Sequence, residues 1–376
     1  MRFKKIPVLL CVLFASILCR AETGVTNTSI ILGQSAALSG PAEELGKGMR
    51  DGAQAYFDSI NAQGGVFGRK IVLKTLDDGY DAERAAENTK KLIGQEGAFA
   101  LFGYVGTPTS VASMPAITKA QIPVFAPFTG AEILRDPPNR NVFHVRASYY
   151  QETEKIIEHI TTLSFKKVAV FYQNDAYGKA GLEGVTRALK KRNIEVVALA
   201  TVERNSTDVA EAVQKMKQSD PQAIVMVSAY NSCAAFIRAM IAAGKRPLFW
   251  NISFVGSRAL AEELGTDAGG VNISQVMPAP WDDITPISKE YRKLYLQNNK
   301  REWDYVSMEG FIAAKVFVEG LKRAGKDLTR DKLITAMESM TMYDTGGFVV
   351  RFSPSRHTGS EYVDLTMISK TGKFLH

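Results

Sequence analysis

The stretch GYVGTPTS, residues 103–110, closes an apolar run with two glycines and then offers Thr107, Thr109 and Ser110 where a helix could begin. Three kinds of chemistry use such a turn. A phosphate cradle needs Gly-x-x-x-x-Gly-Lys followed by Ser or Thr, or Gly-x-Gly-x-x-Gly behind the first strand. Neither GYVGTPTS nor the first-strand segment GQSAALSG has the pattern. A nucleophile elbow needs Gly-x-Ser-x-Gly, which the chain lacks. The four histidines, His144, His159, His357 and His376, stand near no Ser or Cys in a recognisable arrangement and lack metal-ligand spacing. Asp77, Asp78 and Asp81 in TLDDGYD suit capping and turn formation behind a strand better than acid–base work. What remains is a pocket for a small polar head. After Gly106 the N–H groups of a helix start favour an anion or carboxylate. Thr107 and Thr109 add hydroxyls, and APFTGAE brings backbone groups from a neighbouring turn. N-capping by the two threonines alone is the plainer alternative.

The elements that would position this turn are legible as an alternation. Strand-like runs such as SIILGQSAAL, KIVLKTLDD, AFALFG, KVAVFYQND and AIVMVSA take turns with segments of helical spacing such as GKGMRDGAQAYFDSIN and SMEGFIAAKVFVEGLKRAG. Several runs are continuously apolar, as strands covered on both faces are. The pattern predicts an α/β chain of parallel-sheet βαβ units. It pauses near NRNVFHVRASYYQETEKII and again at VMPAPWDDITPIS. In open parallel sheets ligands bind beyond the carboxyl ends of the strands. That rule singles out SAALSGPAEELGKG, GYVGTPTS, APFTGAE, YQNDAYGKAG, SAYNSCA and SFVGSRA.

The 376 residues suggest two domains. Met1-Arg2-Phe3-Lys4-Lys5, an apolar run from Ile6 to Leu18 and Cys19-Arg20-Ala21 read as a secretory signal peptide over 1–21. A lipoprotein signal at Cys19 ranks second, because bulky Leu18 stands where a small residue is wanted. Four of the 46 basic residues leave with the leader, so 42 face 39 acidic ones and the net charge drops from +7 to +3. That balance argues against nucleic acid as a partner. Cys11 and Cys19 leave as well, and Cys233 alone makes neither an intramolecular disulfide nor a cysteine metal site. No cofactor is called for.

Four motifs carry a resemblance: LSGPAEELGKGMRDGAQAYFDSINAQGGVFGRKIVLKTLDDGYD, LFGYVGTPTS, IPVFAPFTGAE and NDAYGKAGLEG. With them the chain resembles type I periplasmic solute-binding proteins of the Leu/Ile/Val-binding branch, across essentially its whole mature length. The resemblance implies two doubly wound parallel-sheet lobes joined by three crossovers. Lobe 1 would hold residues 27–146 and 279–344, and lobe 2 residues 147–278 and 345–376. It implies a monomeric, non-enzymatic periplasmic protein that closes over a small solute and delivers it to an inner-membrane ABC permease. A ligand-sensing subunit of a membrane receptor is the alternative in the same fold, and an exported enzyme using Asp77 and Asp78 is the rival of another class.

The resemblance also places a site. Thr107, behind Gly106, matches the hydroxyl residue that holds a ligand carboxylate. Phe128 and Gly130 fall on the turn facing the ligand head, with Thr129 between them. Tyr177 and Tyr230 match tyrosines of the second lobe, Tyr305 an aromatic lining the side-chain pocket, and Leu45 a position that packs on the ligand. Tyr149 and Tyr150 at the first crossover add aromatic surface. One turn departs from the pattern. Amino-acid binders put an acid on the second-lobe turn to pair the ligand ammonium, whereas SFVGSRAL carries Ser257 and Arg258 there. A buried ammonium without counter-charge costs several kcal/mol. Either another acid, Glu309 or Asp175, substitutes and the ligand is branched-chain amino acid-like, as the resemblance implies by default, or the ligand is not an α-amino acid but an amide or an organic or aromatic carboxylate.

Overall fold

The computed structural model describes residues 22–298 and 302–376, so the expected leader at 1–21 lies outside the described residues. The first lobe starts with β1 (Ser29–Ala36), α1 (Glu43–Ala62), β2 (Lys70–Asp77), α2 (Ala82–Gly94), β3 (Ala100–Phe102), α3 (Thr107–Ala120), β4 (Val124–Phe125) and β5 (Val142–Phe143). The five strands form one parallel sheet in the order β2-β1-β3-β4-β5. Because β1 pairs with β2 on one side and β3 on the other, the turns after β1 and β3 open a crevice at the carboxyl edge.

The second lobe runs α4 (Tyr149–Thr162), β6 (Val168–Gln173), α5 (Ala176–Lys190), β7 (Val196–Val202), α6 (Ala210–Ser219), β8 (Ala223–Val227), α7 (Tyr230–Ala242), β9 (Leu248–Asn251), α8 (Ser257–Leu264) and β10 (Asn272–Gln275). All of β8 is buried, as its unbroken apolar run requires. The chain then returns to the first lobe as α9 (Pro286–Asn298), α10 (Tyr305–Ala324) and α11 (Arg330–Glu338). Glycines dictate how closely α10 lies on α1. A Cβ on Gly52 would stand 1.8 Å from the Ser307 carbonyl oxygen, and one on Gly310 would stand 2.2 Å from that of Met49. Backbones this close leave no room for a side chain.

A hairpin of β11 (Tyr343–Asp344) and β12 (Val349–Val350) follows, and the chain ends in β13 (Asp364–Ile368) and β14 (Phe374–Leu375). The second sheet has the order β14-β13-β10-β9-β8-β6-β7, parallel except for the antiparallel edge made by β13 and β14. The last passage between lobes comes later than the boundary expected at 344–345. His144 N donates to His357 O and Gly359 N to His144 O, at 2.8 and 2.7 Å, so residues 357–359 extend the first sheet beyond β5. The chain crosses only between Gly359 and β13.

Candidate functional site

Two turns of the first lobe are tied side by side. Phe128 N donates to Tyr104 O at 2.7 Å, and Gly106 N to Phe128 O at 3.2 Å. Gly106 sits at φ +102°, where a Cβ would strike the Tyr80 ring at 2.3 Å. The register puts the Thr107 and Thr129 hydroxyls 2.6 Å apart, both fully buried. Thr129 Oγ1 also donates to Tyr149 Oη at 3.3 Å. Helix α3 starts without a side-chain cap, so its first N–H groups have no intrahelical partner. Thr109 takes no part in the site, because its hydroxyl donates back to the Val105 and Gly106 carbonyls.

The second lobe faces this pair with rings. Phe254, in the one-turn helix Ser253–Val255, lies 4.6 Å from Tyr177, 5.2 Å from Phe128 and 6.0 Å from Tyr80, centroid to centroid. Tyr149 lies 5.6 Å from Tyr177. All five rings are buried, and Tyr177 Oη has no hydrogen-bond partner among the described residues. Gly256, at φ +82°, brings the second-lobe turn onto Leu45: an added Cβ would lie 2.6 Å from Leu45 Cδ2 and 3.6 Å from Tyr230 Cδ1. Gly130 makes the same kind of room for Tyr149, whose ring an added Cβ would meet at 2.6 Å. Rim bonds cross between lobes as well: Asn231 Nδ2 donates to Pro41 O at 2.6 Å and Arg204 Nη1 to Tyr80 O at 3.3 Å.

Beneath the rings lies a buried ionic group. Arg146 pairs with Glu152 at 3.1 Å and with Glu309 at 3.6 Å. Burial pushes the Glu309 carboxyl up to about 7 even with Arg146 opposite it. Burial alone would lower the Arg146 pKa, but the Glu309 and Glu152 charges outweigh it and hold the guanidinium firmly protonated. The acid pair behind β2 is a clamp rather than a reaction centre. Asp77 accepts from Leu38 N, Ser39 Oγ and Gly79 N, while Asp78 accepts from Ser35 Oγ and Tyr80 N. These bonds hold Tyr80 at φ +61°.

The structure therefore brings together Thr107, Gly106, Phe128, Thr129, Gly130, Tyr177, Tyr230 and Leu45. It sets four other expected residues apart. Tyr150 points outward under Arg187, whose guanidinium lies 4.7 Å from the ring, and Tyr149 takes the inner place. Ser257 exchanges hydrogen bonds with Gln275 in the second lobe. Tyr305 stacks edge-on against Trp281 and Phe374 at 5.1 and 6.1 Å. Arg258 pairs with Glu262 and Glu302 at 2.6 and 2.8 Å. It lines a separate cavity of about 500 Å³ with Trp281, Trp303 and Phe374, whose acids are thereby already committed. Asp175 does not stand free as a substitute acid, since it caps α5 and pairs with Arg204 at 3.3 Å. Sequence reasoning missed Tyr80, Arg146, Glu152 and Phe254. The one available signal was Arg146, a charge ending the apolar run NVFHV.

Two lobes, each with strand ends turned toward the other, and hydroxyls and rings between them define a cleft-binding protein. The chain belongs to the periplasmic binding protein family, whose model matches residues 29–373. It is similar to a possible leucine/isoleucine/valine-binding protein of Rhodopirellula baltica, at 31% identity and TM-score 0.89 over 93% of this chain and 97% of that one. A substrate-binding periplasmic protein of Ralstonia solanacearum shares 32% identity, TM-score 0.86, over 92% and 99%. Leu/Ile/Val-binding protein homolog 3 of Brucella melitensis is 25% identical over 89% of this chain and 93% of its own length. The relatives are solute-binding proteins and not enzymes, which sets aside the catalytic reading of Asp77 and Asp78.

Proposed function

We propose that the chain is the periplasmic substrate-binding component of an ABC importer, a monomer that closes over a small organic solute and presents it to an inner-membrane permease. The ligand head sits against Thr107 and Thr129, and its apolar body against Phe128, Tyr149, Tyr177 and Phe254. The observation that carries this reading is the meeting of buried hydroxyls from both lobes, with Tyr177 Oη lacking any partner among the described residues. A buried hydroxyl without a partner costs about 1–3 kcal/mol, which a ligand spanning the lobes recovers. Such contacts favour the closed arrangement by their differential affinity. No carboxylate in the ring cluster stands unpaired, which favours ligands without an α-ammonium. The test is the melting temperature of protein freed of ligand by unfolding and refolding, against carboxylates, amides and amino acids. A binder at about 100 times its Kd adds about 2.7 kcal/mol. A shift confined to α-amino acids would overturn the preference for ligands without an ammonium, and no shift with any of the three classes would overturn the site.

A further inference from the structure

Resting on that reading of the cleft, Gln173 says more about the ligand. It ends β6, at the carboxyl edge of the second sheet, and is fully buried. Its head lies where the lobes meet. Nε2 donates to Tyr80 Oη of the first lobe at 3.4 Å and to Asp175 Oδ2 of its own lobe at 2.6 Å. The Tyr80 ring in turn lies against Phe254, at 6.0 Å, and over Gly106, the residue before Thr107. A carboxylate only accepts, so the bond to Asp175 fixes which way round the amide stands. The amide oxygen, Oε1, is buried and has no donor among the described residues. Tyr177 Oη, whose ring lies 4.6 Å from Phe254, is likewise without a partner among them. Native interiors seldom leave a buried amide oxygen without a donor, because the group then loses its hydration for nothing in return.

We propose that Gln173 is a specificity-determining residue of the cleft, its Oε1 accepting one hydrogen bond from a neutral N–H or O–H group that the ligand carries besides the head held by Thr107 and Thr129. Asp175 tells against a charged donor. Its Oδ1 accepts from Tyr177 N and Gly178 N, and its Oδ2 accepts from Gln173 Nε2 and pairs with Arg204 at 3.3 Å. That charge is already balanced, so an ammonium beside Gln173 would be buried without a counter-charge. An amide or a hydroxyl makes no such demand, and it can also offer Tyr177 Oη an acceptor. The ligand class is a small compound with a carboxylate or carbonyl head and a separate neutral amide or hydroxyl group on an apolar body. A site built to hydrogen-bond such a group rejects the same molecule without it, because the buried acceptor is then stranded.

The test is titration calorimetry of the full chain, freed of ligand, with two pairs of carboxylates matched in shape. Succinamate is set against levulinate, which has a methyl in place of the amide NH2, and 4-hydroxybenzoate against 4-methylbenzoate. The donor-bearing member of at least one pair should bind about ten-fold or more tightly than its partner. Gln173→Met keeps the length of the side chain and removes the acceptor, so that ratio should fall toward one. A merely structural role for Gln173 would weaken both members alike and leave the ratio unchanged, which would overturn the proposal. Equal binding within both pairs by the wild type would overturn it too, whether or not Gln173→Met folds, because a buried water would then answer Oε1 in the ligand's place. Either result leaves the cleft reading intact. Silence from all four compounds would overturn this inference, and the cleft reading falls with it only if the carboxylates, amides and amino acids of the melting test are silent as well.

Discussion

Gly256→Ala separates lobe stability from lobe closure. The substitution carries two costs that fall on different observables. The first is backbone strain: at φ +82° an L-residue pays about 1–2 kcal/mol. That strain lies within the second lobe, is present whether the lobes are open or shut, and lowers Tm without touching affinity. The second is steric. The new methyl would lie 2.6 Å from Leu45 Cδ2, a fully buried side chain of the opposite lobe. Overpacking of this size costs about 1–3 kcal/mol, and only when the lobes are together. Closure is what holds the ligand, so Kd should rise about 5- to 150-fold. Calorimetry on wild type, Gly256→Ala, Leu45→Ala and the double variant gives the coupling. The double variant should bind better than the two single losses added together, by at least about 1 kcal/mol. Additive losses, or an unchanged Kd in Gly256→Ala with a lowered Tm, would refute the contact between Gly256 and Leu45 in the bound state.

Three further outcomes follow from the same geometry. Thr107→Val removes one hydroxyl of the 2.6 Å pair while keeping shape; ligand affinity should fall about ten-fold, read by calorimetry, with the far-ultraviolet circular dichroism unchanged. Arg258→Ala breaks two exposed ion pairs, so Kd should stay within about three-fold and stability within about 1 kcal/mol, checked by urea denaturation. Burial tends to raise the Asp77 pKa, but hydrogen bonds from Ser39, Leu38 N and Gly79 N hold it at about 2, below the ordinary carboxyl value of 3.8. A depressed carboxyl stabilises the fold above its unfolded pKa and loses that contribution as pH falls toward 2. Asp77→Asn should flatten the loss of stability between about pH 5 and pH 2, by about 1 kcal/mol once solvent screening is allowed for.

The alternation of strands and helices was legible because the strands are buried on both faces and read as unbroken apolar runs. The turns at 103–110 and 126–130 were legible for the same reason: each ends such a run with small and hydroxyl residues. What joins them is the pairing of β3 with β4, a long-range contact that no local pattern encodes. The choice between Tyr149 and Tyr150 was not legible either. Ser148 caps α4, so the two tyrosines start the helix about 100° apart, and only packing against Gly130 decides which one turns inward. Arg258 misled because it follows Gly256 by two residues, yet it lies on a half-exposed face of α8 with acids within reach. Phe254 and Tyr80 lie inside the segments SFVGSRA and TLDDGYD, but nothing local marks either ring as facing the other lobe, and their place depends on how the two lobes meet. The late third crossing was hidden because residues 357–359 join the first sheet through His144, far away in sequence.

A crystal structure of the protein bound to the carboxylate that shifts its melting temperature most would bear directly on the site. The ligand head is expected within about 2.7–3.2 Å of Thr107 Oγ1, with Tyr177 Oη no longer unpartnered and the ligand body between Phe128 and Phe254. A ligand found instead in the cavity beside Trp281 and Trp303, with the Thr107–Thr129 and Thr129–Tyr149 hydrogen bonds unchanged, would contradict the site assigned to this chain.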